Sequence, residues 1–264
     1  MVLEQLYRNE WVNKKEKYAF FLSSVYTLIA LFFSMMLFDD YALTAIFFTV
    51  ILIMNSLNKL LDKEETKIEN EPNFKISTLY EEHKEIFKLY LFIFLGIFSA
   101  FALFTLIWPK LITSSMFQNN ILLEQGKIFT YSLSFISNLK LFLIGFILSF
   151  FYGAGGMFLI TLNAAVWGTA FGAILKSSYF AVSNPFIYFF SIILILLPYF
   201  IFEVSAFLCV TIGGGVLSKG AHNEHITSQK FKKIVIDALI MFSLSLLLLL
   251  ASSIVNKYFT SVLL

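Results

Sequence analysis

Residues 141–175 read LFLIGFILSFFYGAGGMFLITLNAAVWGTAFGAIL and contain no charged side chain. A helix needs about 20 apolar residues to cross the hydrocarbon of a bilayer, where its backbone polar groups find no water and must pair within the segment. The run is long enough for two such crossings. Gly153, Gly155 and Gly156 lie near its middle, and glycine allows the chain to turn sharply there. The stretch therefore predicts two membrane-spanning helices joined by a tight turn.

The whole chain has the composition of a membrane protein. Apolar side chains make up 59% of its 264 residues and charged ones 14%, which excludes an ordinary water-soluble globule. The single cysteine, Cys209, can form no internal disulfide. A net charge of +2 is too small to indicate a nucleic-acid partner. We therefore expect the chain to contact the lipid bilayer and not nucleic acid.

Seven segments come close to the length of a membrane span, so we predict an all-α, polytopic transmembrane helix bundle with about seven spans. The second segment is short, and the sixth is longer than one crossing requires. Pro198 in the sixth removes a backbone donor and predicts a kink. If the chain instead breaks there into a re-entrant pair, the number of spans changes. The segments are 18–38, 41–57, 89–108, 136–153, 155–175, 185–217 and 234–255.

The distribution of lysines indicates the orientation of these spans. Seven crossings that start in the cytoplasm place residues 1–17, 58–85 and 218–233 inside, and these segments carry most of the basic side chains. This asymmetry agrees with the positive-inside rule. We therefore predict a multi-pass protein of the cell membrane with a cytoplasmic N-terminus. The lysines left outside are Lys110, Lys127, Lys176 and Lys257.

Four regions follow from this arrangement. Residues 1–17 are predicted to form an amphipathic cytoplasmic segment at the membrane interface, and residues 18–57 a helical hairpin. Residues 58–85 form a charged cytoplasmic loop, and residues 86–264 a helical membrane domain. The outside loop 109–135 of that domain is nearly free of charge but rich in apolar side chains. It is therefore predicted to rest on the membrane or to bind another protein.

Three predicted helices carry small residues at a spacing of four, which places each set on one helix face. Small faces let helices approach closely in lipid, so we predict a tight core of the fourth, fifth and sixth spans. A homodimer is the alternative use of such faces, but matching stripes in three consecutive helices favour packing within the chain. The consecutive glycines Gly213 to Gly215 are interpreted as a helix terminus or hinge. The stripes are Gly145, Ser149 and Gly153; Ala164, Gly168 and Gly172; and Ser205, Cys209 and Gly213.

Glu203 is the one acidic residue deep within an apolar helix. A charge at that depth costs about 2.5–3.5 kcal/mol, so the side chain is expected to be protonated, paired or open to an aqueous cavity. Candidate partners are Asn163 and Trp167, one turn apart on the fifth helix, and Lys140 at the start of the fourth. A structural clamp between Glu203 and Asn163 and a functional site are both open interpretations. Asp237 is predicted to pair locally, with the lysines about one turn before it.

Catalytic signatures are missing from the sequence. It contains no H-E-x-x-H, no G-x-S-x-G and no phosphate-binding loop, so we predict no enzyme activity, no metal and no cofactor. His83, His222 and His225 are predicted to lie in loops; the last two flank a polar turn for which a peripheral metal site is the alternative. The best hydrolase pair, Ser205 with Glu203, is two residues apart and points to different helix faces.

Four pieces of the sequence resemble the stage II sporulation protein M family of integral membrane proteins. They are ISNL at 136–139, Gly145, LNAAVWG at 162–168 and LPYFIFEVSA at 197–206. That family shows an Asn before one membrane helix, an Asn followed by a small residue in a glycine-rich helix, and a P-H-G-x-x-E-x-x-A stretch. The resemblance covers about residues 85–255, and the N-terminal part looks like the longer, archaeal-type branch.

One departure from the family pattern affects what can be carried over. Pro198, Glu203 and Ala206 match, whereas Tyr199 and Phe200 replace the family's His and Gly. A role of that histidine therefore does not carry over, while one that rests on the glutamate and the proline does. The resemblance implies a scaffold that anchors partner proteins, without implying sporulation here. The candidate intramembrane polar site comprises Glu203, Asn163, Trp167, Asn138 and Tyr199, with Pro198 as the kink.

Two functions are consistent with these features. The first is an integral membrane scaffold that anchors or organises other membrane or envelope proteins through its helix bundle and the 109–135 loop. The alternative is a transporter or channel in which Glu203, near the Pro198 kink and beside Asn163, handles a proton or a cation. No inverted repeat supports the alternative, because the first three spans contain no counterpart of the Pro and Glu pair. A homo-oligomer is compatible with both.

Overall fold

The structure is a computed structural model that describes residues 16–54, 76–109, 135–181, 185–225 and 227–263. These residues form seven α-helices and no strand, which confirms the predicted all-α class. Nearly all of segment 1–17, the greater part of loop 58–85 and nearly all of loop 109–135 lie outside the described residues. The helices are α1 (Glu16–Leu37), α2 (Tyr41–Met54), α3 (Ile76–Ile107), α4 (Phe135–Tyr152), α5 (Met157–Ala181), α6 (Pro185–Asn223) and α7 (Gln229–Leu263).

Five of these helices are long and apolar enough to cross a membrane, as expected for a multi-pass membrane protein. Two of the seven predicted spans are shorter, α2 and the apolar part of α4, Leu139–Tyr152. At 1.5 Å per residue each of these covers about 21 Å, less than the hydrocarbon thickness of about 30 Å. The five longer stretches are Lys17–Leu37, His83–Ile107, Met157–Lys176, Leu196–Asn223 and Gln229–Asn256.

The outward faces of the bundle are strongly apolar. Phe33 on α1, Phe151 on α4 and Leu247 on α7 each expose more than half of their surface. An apolar surface of this extent on a protein in water is a site of association or aggregation. Contact with lipid tails covers it without an unfavourable change of environment, so these faces fit the bilayer as their surroundings.

The glycine-rich turn between α4 and α5 lies where the sequence predicts it. Gly153 has a φ of 59°, in the left-handed region that side-chain-bearing residues rarely adopt, and the short 3₁₀ helix Ala154–Gly156 completes the reversal. Gly145 then faces the side chain of Leu159 across the hairpin. The continuous uncharged run is thereby divided into two antiparallel helices.

α6 is a single helix of 39 residues that continues through Pro198. Its length is about 58 Å, so it extends well beyond the hydrocarbon of a bilayer. A break into a re-entrant pair at Pro198 is therefore excluded. Pro198 still lacks the N–H that would bond to the carbonyl of Leu194, and the kink that this favours stays a prediction.

The glycines at 213–215 lie inside α6, which ends only at Asn223, so the predicted helix terminus is wrong. A Cβ built on Gly213 would lie 3.0 Å from the Cβ of Met241 on α7, and one built on Gly214 would lie 2.6 Å from the Cβ of Ser149 on α4. Adjacent glycines lie about 100° apart around a helix. Gly213 therefore allows α7 to approach closely and Gly214 allows α4 to do so, and neither ends the helix.

α5 packs its glycine stripe against α3, which the sequence analysis did not include in the core. A Cβ on Gly172 would lie 2.6 Å from the carbonyl oxygen of Ala102. Close to the end of both helices, the Lys176 ammonium donates a hydrogen bond of 2.9 Å to the carbonyl of Leu106. A last-turn carbonyl has no partner within its own helix, so this bond completes the end of α3.

The predicted core of α4, α5 and α6 is present, since these three helices contact one another, but it is incomplete. The glycine stripe of α5 faces α3, and Gly213 of α6 faces α7. The physical reason is that a small-residue face permits close approach of any helix, and its spacing does not identify which helix approaches. Of the remaining stripe residues Ser149, Gly153, Ala164 and Cys209 are buried and Ser205 is half-buried.

Gly168→Ala is expected to lower stability by about 1–3 kcal/mol, the usual cost of overpacking. Its added Cβ would overlap the carbonyl oxygen of Phe98, a backbone atom that cannot rotate away. Gly213→Ala is the matched comparison, because its Cβ would lie 3.0 Å from the Cβ of Met241, a tight contact without overlap of a backbone atom. Both variants gain about 1 kcal/mol of helix propensity. Thermal unfolding in detergent measures both, and equal melting temperatures for the two variants would contradict the α3–α5 contact.

Candidate intramembrane polar site

Glu203 lies in the interior of the bundle, with 4% of its surface exposed. Its carboxyl group is hydrogen-bonded by the side chains of Tyr199, Asn163 and Trp167. Tyr199 precedes Glu203 by one turn of α6, and the other two residues lie one turn apart on α5. Residues spaced by four share a helix face, so a single rotation of each helix brings all four side chains together.

The oxygens of this cluster are unequally used. Oε2 of Glu203 and Oδ1 of Asn163 are buried and have no hydrogen-bond partner among the described residues. Asn163 donates to the carboxyl group, so it meets that group through its amide nitrogen. Two acceptor oxygens are left over within one bonded pair of residues, which is costly in an interior without water.

The partners of Glu203 are neutral. Tyr, Asn and Trp side chains donate hydrogen bonds without carrying a positive charge. Lys140, the cationic partner proposed from the sequence, is exposed at the start of α4. Glu203 is therefore a buried acid held by three neutral donors and not a member of an ion pair with Lys140.

An aromatic cluster includes Trp167 and Tyr199, two of the residues that bind the carboxyl group. The ring of Trp167 lies 5.5 Å from Tyr199, 5.2 Å from Phe200 and 5.7 Å from Phe171. Phe200 in turn lies 5.8 Å from Phe98 of α3. Rings at these separations attract one another beyond the area that they bury. The cluster therefore joins α3, α5 and α6 beside the residues that bind Glu203.

Two further residues proposed for the site are placed as follows. Pro198 directly precedes Tyr199 within α6 and is half-buried. Asn138 lies in the first turn of α4, but its side chain is outside the described part of the structure. Only Glu203, Asn163, Trp167 and Tyr199 are thus brought into one cluster by the described side chains.

Comparison of the chain with protein-family models, with curated proteins and with solved structures finds no match.

A second buried polar contact joins α3 to α7. Nε2 of His83 lies 3.1 and 3.0 Å from the two carboxyl oxygens of Asp237, and the two residues are 4% and 0% exposed. Two predictions are therefore wrong: His83 lies in a helix and not in a loop, and Asp237 pairs with a residue 154 positions away and not with nearby lysines. The error at His83 arises because α3 begins at Ile76, well before the apolar segment 89–108, so that His83 is already helical.

The sequence contains a signal for the burial of His83. His83, Ile86 and Tyr90 follow one another at spacings of three and four, the pattern of one buried helix face, and all three are buried. His222 and His225, by contrast, are exposed; His225 follows α6 as predicted, whereas His222 lies in the last turn of that helix and not in a loop. Near them, Glu224 lies 3.6 Å from Lys230.

Replacing Glu203 by Gln is expected to preserve the fold, whereas Glu203→Leu is expected to destabilise it. Gln keeps an oxygen that accepts from Tyr199, Asn163 and Trp167, while Leu leaves those donors unpaired at about 1–3 kcal/mol each. The melting temperature in detergent distinguishes the two variants. If Glu203→Leu unfolds at the temperature of the wild type, the hydrogen bonds at Glu203 do not stabilise the α5–α6 contact.

The His83–Asp237 contact can be tested by a double-mutant cycle. Either single leucine variant, His83→Leu or Asp237→Leu, leaves one buried polar group behind and is expected to lose about 3–5 kcal/mol. The double leucine variant is expected to lose less than the sum of the two. The partly exposed Glu224–Lys230 pair at the surface is the control, since removal of such a pair costs about 1 kcal/mol or less. Additive losses in the first cycle would show that His83 and Asp237 do not interact.

Proposed function

We propose that the protein is an integral membrane scaffold that anchors or organises partner proteins at the cell membrane. The observation that carries this proposal is the closed environment of Glu203. Its carboxyl group is 4% exposed and hydrogen-bonded from two helices. Such an arrangement fixes α5 against α6, as expected of a rigid support.

The way in which the helices pack supports the same conclusion. α5 approaches the backbone of α3 at Gly172, and its other face binds α6 through Asn163 and Trp167. The α3–α7 contact at His83 adds a polar tie at another point. A bundle held on several faces is rigid, and this suits a protein that other proteins assemble on.

The resemblance to the stage II sporulation protein M family favours a scaffold as well, since the namesake of that family anchors partners at a membrane. We propose membership of that family on the motifs at 162–168 and 197–206. We further propose that loop 109–135 is the partner-binding segment, because it combines a low charge with many apolar side chains. Its partners would be other membrane or envelope proteins.

The transporter alternative requires a water-filled route to Glu203. The carboxyl group is only 4% exposed and is surrounded by three donors, of which Trp167 also packs against Phe200, and this argues against such a route. We therefore place the scaffold first. One observation keeps the question of a cation open, namely the two unused oxygens of Glu203 and Asn163.

Purification of the full chain from its native membranes in mild detergent is expected to recover a partner in a fixed stoichiometric ratio. The matched variant replaces residues 110–134 by a Gly/Ser linker of equal length, and it should lose the partner while its melting temperature stays unchanged. Proteoliposomes that contain the wild type should show no proton or cation flux above protein-free vesicles. A partnerless preparation whose flux disappears in Glu203→Gln would establish the transporter instead.

A further inference from the structure

If the carboxyl group of Glu203 is ionised, the side chains that bind it do not neutralise its charge. It is buried within a membrane helix, and the three side chains that bind it are neutral. A carboxylate there would place a full negative charge in the bundle without a cationic contact from the described residues, at a cost of several kcal/mol. A single monovalent cation, of which the proton is the smallest, removes that charge.

The unused oxygens indicate where the cation belongs. Oε2 of Glu203 has no hydrogen-bond partner among the described residues, so it is the oxygen that is available to carry a proton. An O–H group at Oε2 needs an acceptor, and Oδ1 of Asn163 is a buried acceptor without a donor in the described part of the chain. Asn163 already binds the same carboxyl group through its amide nitrogen.

An acid and an amide that face each other can form two hydrogen bonds in opposite directions. The amide N–H donates to one carboxyl oxygen, and the carboxyl O–H donates to the amide oxygen. Without the proton, Oε2 and Oδ1 are both acceptors, and no hydrogen bond can form between them. One proton thus satisfies both unused oxygens at once.

We propose that Glu203 is a proton-binding site, in which one proton on Oε2 is shared with Oδ1 of Asn163 and completes a reciprocal acid–amide pair between α5 and α6. A sodium ion is the competing occupant. Two protein oxygens are fewer than an alkali ion usually gathers, whereas they are all that a proton needs. The site is independent of the scaffold proposal, because a bound proton requires neither a partner nor a transport route.

Infrared spectroscopy of the full chain in lipid tests this site directly. A protonated carboxyl group absorbs at a higher frequency than a carboxylate, and ¹³C labelling of glutamate carboxyls separates glutamate bands from those of Asp237. The folded wild type at neutral pH is expected to show one protonated glutamate band. That band should disappear in Glu203→Gln, persist in the control Glu224→Gln, and move to higher frequency in Asn163→Leu, where the O–H group loses its acceptor.

Two outcomes would overturn the proposal. The absence of a protonated glutamate band in the folded wild type would show that Glu203 is ionised, and this result needs no variant to fold. A band that is present in choline chloride and vanishes in sodium chloride would assign the site to sodium. A failure of the partner experiment leaves both outcomes unaffected, so the scaffold and the proton site can be rejected separately.

Discussion

The burial of the Glu203 carboxyl group constrains how α5 and α6 face each other. An acid in an apolar interior needs hydrogen-bond donors, and the donors available are Asn163 and Trp167 on α5 and Tyr199 on α6. The hydrogen bonds from Asn163 and Trp167 to Glu203 fix the rotation of α5 about its axis. Because successive residues lie about 100° apart around a helix, Gly168 is then turned away from α6 and toward α3. The close contact between α3 and α5 therefore follows from the positions of the α5 donors that bind Glu203.

Polar contacts near the two ends of its apolar span add to the packing contacts that hold α3 against its neighbours. Lys176 joins the last turn of α3 to α5, and His83 joins the early part of α3 to α7. These groups lie at opposite ends of the span of α3, His83–Ile107. Lipid provides no hydrophobic force between apolar helices, so close packing and such hydrogen bonds select the neighbours of α3. α3 is consequently held along its whole length by contacts of different kinds.

The sequence predicts the local part of this structure well and the long-range part poorly. Apolar length locates the helices, the glycines around Gly153 locate the turn, and the four-residue spacing brings Asn163 and Trp167 to one face. Each of these features depends on neighbouring residues. The partner of the Gly168 face and the pairing of His83 with Asp237 depend on how distant helices are arranged. Nothing in a single helix records that arrangement, since a small face or a buried acid accepts any suitable neighbour.

A site that holds a proton inside a closed bundle differs physically from one that transports it. Transport would require the carboxyl group to exchange its proton with water, and α5 would have to move away from α6 to admit that water. The same movement would separate Trp167 from Phe200 and disturb the backbone contact of α5 with α3, because α5 is one rigid helix. The aromatic and backbone contacts thus oppose the motion that exchange requires. A proton retained by Glu203 and Asn163 therefore acts as a structural component of the α5–α6 contact, in agreement with the scaffold that we propose.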